Sequence, residues 1–170
     1  MIMKILVVGD SNVGKTAIIY RYTQKKLKDT LSTPENDDTK GTIIQIEGQQ
    51  VNLQFIDTAG LERFRNITKA YYRSCNGVMI IFDLTCRDSF TSLNYWVDSL
   101  KDGREQKKYE VILVGNKCES NDREVTTEEA EKFALENDIH YFEVSANTND
   151  ELDDAIYYLA TQCYHLFANK

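Results

Sequence analysis

Four stretches of the chain are apolar almost without interruption: ILVVG at 5–9, GVMIIFD at 77–83, VILVGN at 111–116 and IHYFEV at 139–144. Strands covered on both faces of a mostly parallel sheet read this way. Two more stretches, TIIQIE at 42–47 and VNLQFID at 51–57, alternate apolar and polar residues. The EGQQ joining them predicts a hairpin at a sheet edge. Helical patterns fall between the strands. Residues 15–25 follow a glycine-containing turn, and Phe90, Leu93, Val97 and Leu100 recur at helical spacing. Thr126 and Glu129 make a capping-box pattern ahead of Ala130, Phe133 and Ala134. Thr148 and Glu151 repeat it before Leu152, Ile156, Leu159, Cys163 and Leu166. Strands alternating with helices predict an open, doubly wound α/β sheet.

The chain of 170 residues fits one domain, taken as 1–170, with no internal repeat or linker. The long polar stretch 25–40, KKLKDTLSTPENDDTK, exceeds an ordinary connection and is expected to be functional or mobile. A net charge of −7 with no long basic run argues against nucleic acid, which needs clustered Lys and Arg. It argues equally against charge-driven binding to an anionic membrane. Cys75, Cys86, Cys118 and Cys163 are scattered without a CxxC pair, so neither a zinc site nor a disulfide framework is expected. Reduced cysteines suit a cytoplasmic protein. The opening MIMKILVVGD is too short for a membrane span and lacks a signal-peptide cleavage region, and FANK at the end carries no lipidation signal. Peripheral membrane attachment is therefore expected only through a lipidated tail beyond residue 170, where a tail or further domain could follow.

The chemistry begins at GDSNVGKT, residues 9–16, which matches G-x-x-x-x-G-K-[ST] between an apolar strand and a helix. In such a loop the backbone curls so that the N–H groups of Gly9, Asp10, Ser11, Asn12, Val13 and Gly14 face a polyphosphate, aided by the helix N-terminus. Lys15 is placed to reach the β- and γ-phosphates, and the Thr16 hydroxyl to bind Mg²⁺. Asp57 ends a strand, where an acid holds Mg²⁺ through water, and Gly60 offers an N–H to a γ-phosphate. NKCE at 116–119 and SAN at 145–147 also fall at strand C-termini, where open α/β sheets place ligands.

These ordered motifs resemble the Ras superfamily of small GTPases, and the Rab branch most closely, over essentially the whole chain. DTAGLERFRNITKAYYRSCNGVMIIFDLT at 57–85 is the most Rab-like part, and Ser11 within GDSNVGKT adds to it. The resemblance implies a P-loop NTPase G domain. Its sheet has six mostly parallel strands, one edge strand antiparallel, with about five helices on both faces. It implies GTP or GDP with Mg²⁺. Asn116 bonds the guanine edge, and the Lys117 stem lies across the base. Glu119 stands at the acid that takes the guanine N–H groups. Ser145 and Ala146 contact the carbonyl side, with Asn147 next to them. Effector and exchange proteins engage residues 27–40 and 58–74, the chain acts as a monomer, and the function is control of vesicle traffic.

Departures from the family pattern modify that expectation. Leu61 replaces the glutamine that orients the attacking water, and leucine has no donor or acceptor. No intact catalytic residue remains at that position. Phosphoryl transfer here rests on positioning, and the unassisted family rate is already on the order of 10⁻⁴ per second, so hydrolysis is expected to be slow. Gapless spacing puts Pro34 where the family has its metal-binding threonine and Asn36 where a glycine follows. Proline has neither a hydroxyl nor an N–H. Thr33 is the adjacent candidate ligand. Glu35, Asp37 and Asp38 bring negative charge toward a triphosphate, and Leu27 falls at an aromatic position that flanks the base. A first switch that is loose or points away from the nucleotide is expected. Glu119 for aspartate adds a methylene, so affinity should fall while guanine preference persists. A second expectation, a pseudo-GTPase acting as an interaction module, takes Leu61, Pro34 and Glu119 together as lost switching. An ATP-using P-loop protein is disfavoured by NKCE and SAN.

Overall fold

The computed structural model describes residues 1–29, 40–61, 65–104, 108–149 and 151–168. Its elements run β1 (Ile2–Val8), α1 (Lys15–Asp29), β2 (Lys40–Ile46), β3 (Gln49–Asp57), α2 (Arg65–Ser74) and β4 (Gly77–Asp83). They continue with α3 (Arg87–Thr91), α4 (Leu93–Arg104), β5 (Glu110–Asn116), α5 (Thr127–Glu136), β6 (His140–Glu143) and α6 (Leu152–Ala168). The strands form one sheet in the order β2-β3-β1-β4-β5-β6. Only the β2–β3 pairing is antiparallel, as the alternating pair predicts. The short α3 runs into α4 through Ser92, so the two behave as one helical layer.

Burial explains the strand patterns except at β6, expected to be covered on both faces: it is an edge strand, with His140 exposed and Tyr141, Phe142 and Glu143 half-buried. Every residue of β4 is buried, and β5 is buried after its first residue. Ile5, Val7, Met79, Ile81, Ile112 and Val114 face a core completed by α1 and α6. Leu6, Val8, Ile80, Phe82 and Leu113 face the opposite core, with Tyr72, Trp96, Leu100 and Ala130. Each side chain fully buried this way contributes about 1.5–3 kcal/mol of transfer free energy. With both faces covered, the strand C-termini remain as the edge where loops can gather.

Most boundaries shift by a few residues from the expected ones, and three of the shifts have a local cause. β1 starts at Ile2, because Ile2 pairs with Asn52 although its own side chain is exposed. The hairpin turn is tighter than EGQQ suggests. Glu47 and Gly48 alone form it, both at positive φ (50° and 79°), and Gln49 and Gln50 continue β3. Two left-handed residues match the strand twist of a two-residue turn. The second capping box does not form. Glu151 sits at φ 52° before α6, and the Thr148 N–H donates to the Ser145 hydroxyl at 3.0 Å. Anchoring to the loop after β6 delays the helix until Leu152. The first capping box forms fully. Thr126 Oγ1 accepts from Glu129 N at 3.2 Å, and Glu129 Oε2 accepts from Thr126 N at 2.9 Å.

An ion-paired network braces the β5–α5 loop against β6. Arg123 forks onto Glu143, with Nη1 2.9 Å from Oε1 and Nη2 on Oε2. Tyr141 and Thr127 donate their hydroxyls to the same Oε2 at 2.7 and 2.9 Å. Burial alone would raise the Glu143 pKa, but the bonds from Arg123, Tyr141 and Thr127 outweigh it and hold it below the ordinary carboxylate value. A carboxyl lowered on folding stabilises the protein above its unfolded pKa and loses that contribution as pH falls through the folded value. Glu143→Ala should therefore cost about 1–3 kcal/mol at pH 7, leaving the Arg123 guanidinium and two hydroxyls without this acceptor. The cost should shrink as pH falls through the lowered folded value. Urea melts of both proteins across pH 3–7 check this, and a pH-independent difference would contradict it.

Candidate nucleotide site

The loop between β1 and α1 is locked to the sheet by its glycines. Gly9 has φ 146°, and a Cβ there would lie 2.1 Å from the Ile81 carbonyl oxygen of β4. Gly14 has φ 100°, and its Cβ would lie 2.3 Å from Asn116 Nδ2. Asn12, between them, takes φ 64°, a conformation asparagine tolerates better than most residues. Val13 is buried and accepts a hydrogen bond from Asn116 Nδ2 at 2.9 Å through its carbonyl. Ser11 and Asn12 are exposed.

Lys15 opens α1 with only 3% exposure. Its ammonium donates to the carbonyls of Gly9 and Asp10 at 2.8 and 2.6 Å, so it lies inside the curl of the loop. Thr16 follows and donates its hydroxyl to Asp57 Oδ2 at 2.7 Å, across from the end of β3. A hydroxyl and a carboxylate oxygen this close form a hard-oxygen pair of the kind Mg²⁺ takes alongside phosphate and water. Thr16 and Asp57, two of the three expected metal residues, therefore carry chemistry that fits the ion. Lys40 at the start of β2 stands 3.7 Å from the same Asp57 oxygen. The sequence reading missed it, since its proximity depends on the β2–β3 register.

Beyond Asp57 the chain makes a turn. Leu61 N donates to the Thr58 carbonyl at 3.0 Å, with Gly60 at φ 82° in the third position, where such turns favour glycine. Thr58 is buried and donates its hydroxyl to the Val7 carbonyl at 2.7 Å, and Ala59 N donates to Asp57 Oδ1 at 3.0 Å. Gly60 is exposed and Leu61 half-buried.

The loops after β5 and β6 converge on the same edge. Asn116 is 2% exposed. Besides its bond to Val13, its Oδ1 accepts the Ala146 N–H at 3.3 Å. One side chain thus ties together the phosphate loop and both later loops. Ser145 is fully buried, and its hydroxyl accepts from Thr148 N, so it shapes its loop from within. Lys117, at φ 67°, sends its ammonium to Asp83 Oδ2 at 2.5 Å and lies 3.4 Å from the Asn12 carbonyl. Glu119 Oε1 accepts from Asn147 Nδ2 at 2.8 Å.

Two further residues of this edge were not recognised in the sequence. Asp83 is 5% exposed and receives both the N–H and hydroxyl of Thr85 on Oδ1 while pairing with Lys117 through Oδ2. An acid closing the otherwise apolar GVMIIFD was the available signal. Trp96 of α4 donates its indole N–H to Asp10 Oδ1 at 3.0 Å, and no local pattern announces a contact across 86 positions. The expectations for Thr33, Pro34, Glu35, Asn36, Asp37 and Asp38 lie outside the described residues, as does the side chain of Leu27.

A glycine-turned loop with a buried lysine, a hydroxyl–carboxylate pair and two base-side loops on one edge of this sheet define a P-loop NTPase G domain. Comparison with known proteins specifies it further. The profile of the Ras family matches residues 4–165. Over 160 residues, the chain is 38% identical to Ras-related protein Rab-8A of Bos taurus, covering 94% of this chain and 77% of that protein. Rab-8A of Mus musculus gives the same identity and coverage. Rab-8B of Homo sapiens is 36% identical over the same extent. The chain belongs to the Ras family and is a small GTPase close to the Rab proteins. Among the described residues, no helix is long and apolar enough to cross a membrane.

Proposed function

We propose that this protein is an atypical Rab-like switch that binds GDP and GTP with Mg²⁺, hydrolyses GTP slowly and regulates vesicle traffic through effectors. The observation that carries the reading is Asn116, bonded at once to Val13 of the phosphate loop and to Ala146 of the loop after β6. A polyphosphate cradle and a base pocket act on one nucleotide only if they are held in register, and this side chain holds them. In this reading residues 9–16 and Gly60 bind phosphates. Thr16 would hold Mg²⁺, with Asp57 acting through water. Asn116, Lys117, Glu119, Ser145, Ala146 and Asn147 form the guanine side. The ion supplies charge neutralisation on the β- and γ-phosphates when bound. Leu61 supplies no hydrogen bond to water, which supports slow turnover. Effector and exchange contacts through 27–40 and 58–74 extend the family likeness, as does monomeric action from the cytoplasm. Attachment to membranes would run through a lipidated tail.

Titrating fluorescent GDP, GTP and ATP into nucleotide-stripped protein, with and without Mg²⁺, tests the reading. Tight, Mg²⁺-strengthened binding of the guanine nucleotides is expected, with ATP excluded. No binding of any of the three would favour a pseudo-GTPase interaction module, and preference for ATP would overturn both.

A further inference from the structure

Asp10 is the only acid in the phosphate loop GDSNVGKT. A carboxylate among the N–H groups that receive a polyphosphate repels it, and the half-buried position of Asp10 strengthens that repulsion. The structure ties this carboxylate to another element. The Trp96 indole N–H of α4 donates to Asp10 Oδ1 at 3.0 Å. Trp96 is 3% exposed and packs in the core with Leu6, Val8 and Phe82, its ring edge-on to Tyr95 at 5.1 Å. A ring packed this closely keeps its rotamer, so the donor is fixed and the acid comes to it.

The two faces of the sheet separate the charges. Lys15 opens α1, which packs through Ile18, Ile19 and Tyr22 into the core on one face. Trp96 belongs to the core on the other face. Asp10 joins the two sides. Its carbonyl accepts from Lys15 Nζ at 2.6 Å, and its carboxylate accepts from α4. An aspartate side chain has several staggered positions available. Without the indole donor, this one is free to leave its place on a backbone that already touches the ammonium. A carboxylate turned toward Lys15 competes for the cation and repels the incoming phosphate.

We infer that Trp96 is a positioning residue of the nucleotide site: its indole N–H holds the Asp10 carboxylate on the α4 side of the loop, so that Lys15 meets phosphate without an opposing charge beside it. This inference rests on the guanine-nucleotide reading above and deepens it by bringing α4 into the site.

The test is a double-mutant cycle on the full chain, with GDP affinity read by competition against a fluorescent GDP analogue in the presence of Mg²⁺. Trp96→Phe keeps an aromatic ring in the core and removes the N–H. It should weaken GDP binding by about tenfold in the natural background. The same exchange made on top of Asp10→Asn should change affinity by less than about twofold, because no charge remains to be held. Asp10→Ser supplies a second neutral background in which the same result is expected. A purely structural role gives a different pattern. Asparagine offers the indole the same acceptor, so a bond that only shapes the loop would be missed equally in the natural and Asp10→Asn backgrounds. Thermal melts without nucleotide record the packing cost of Trp96→Phe in each background separately. Equal losses of GDP affinity in both backgrounds overturn the inference. So does Trp96→Phe binding GDP within about twofold of the natural protein. Neutral backgrounds that do not bind GDP overturn it as well, since the loop would then need the charge that the indole restrains. None of these results touches the guanine reading, which stands on GDP binding by the natural protein. Absence of that binding overturns both.

Discussion

Lys15→Ala should weaken GDP and GTP binding by about a hundredfold or more while the domain stays folded. The side chain begins α1, where alanine is an excellent helix former, so the backbone has no local reason to move. What disappears is a positive charge at 3% exposure inside the curl of residues 9–14, positioned by the Gly9 and Asp10 carbonyls at 2.8 and 2.6 Å. Burial lowers the effective dielectric, so this charge acts on a polyphosphate far more strongly than a surface lysine does. Lys15→Met separates charge from packing, since it keeps most of the stem and removes the ammonium. Methionine should bind nucleotide as poorly as alanine. Both variants lose a donor to two carbonyls, which should cost about 1–2 kcal/mol of stability. Calorimetric titration with GDP, paired with thermal melts with and without GDP, measures both effects. Binding by either variant within tenfold of the natural protein would mean that the loop does not hold phosphate through Lys15.

The sequence and the structure agree best where one physical requirement dominates. β4 and β5 are buried on both faces, and only runs such as GVMIIFD and VILVGN survive there, so their positions could be read directly. The Thr126–Glu129 box was legible because every partner lies within four residues. The same four-residue pattern misled at Thr148, where a contact with buried Ser145 redirects the chain through left-handed residues. At the site, the residues themselves were legible and their partners were not. Asn116 and Lys117 stood out from NKCE, but their bonds to Val13, Asp83 and Asn12 link separate strands and follow from the sheet order. Trp96 on Asp10 is the extreme case, a helix side chain turning an acidic group of the phosphate loop toward itself. Departures from a family pattern were visible as letters, yet their consequences depend on geometry. Glu119 is visible as a glutamate for an aspartate, but its bond to Asn147 of another loop is not.

Leu61→Gln should raise single-turnover GTP hydrolysis by about tenfold or more over the natural protein, equivalent to about 1.4 kcal/mol of barrier. The surrounding loop is already built. Thr58 is anchored to Val7, Ala59 N bonds Asp57, and Gly60 at φ 82° completes the turn that delivers residue 61. Leu61 is half-buried at that position, and leucine and glutamine have similar volumes, so the exchange adds a donor and an acceptor with little change in packing. Nucleotide affinity should not change, because residue 61 acts on water and not on the phosphates or base. Rapid mixing of GTP-loaded protein with Mg²⁺, followed by phosphate release, gives the rates. If the natural protein already turns over near 10⁻⁴ per second, leucine is not a handicap and slow hydrolysis falls as a proposal. If the glutamine variant gains nothing, residue 61 is not the limiting defect. A gain confined to Leu61→Gln, absent from an isosteric Leu61→Met control, would tie the effect to hydrogen bonding rather than to shape.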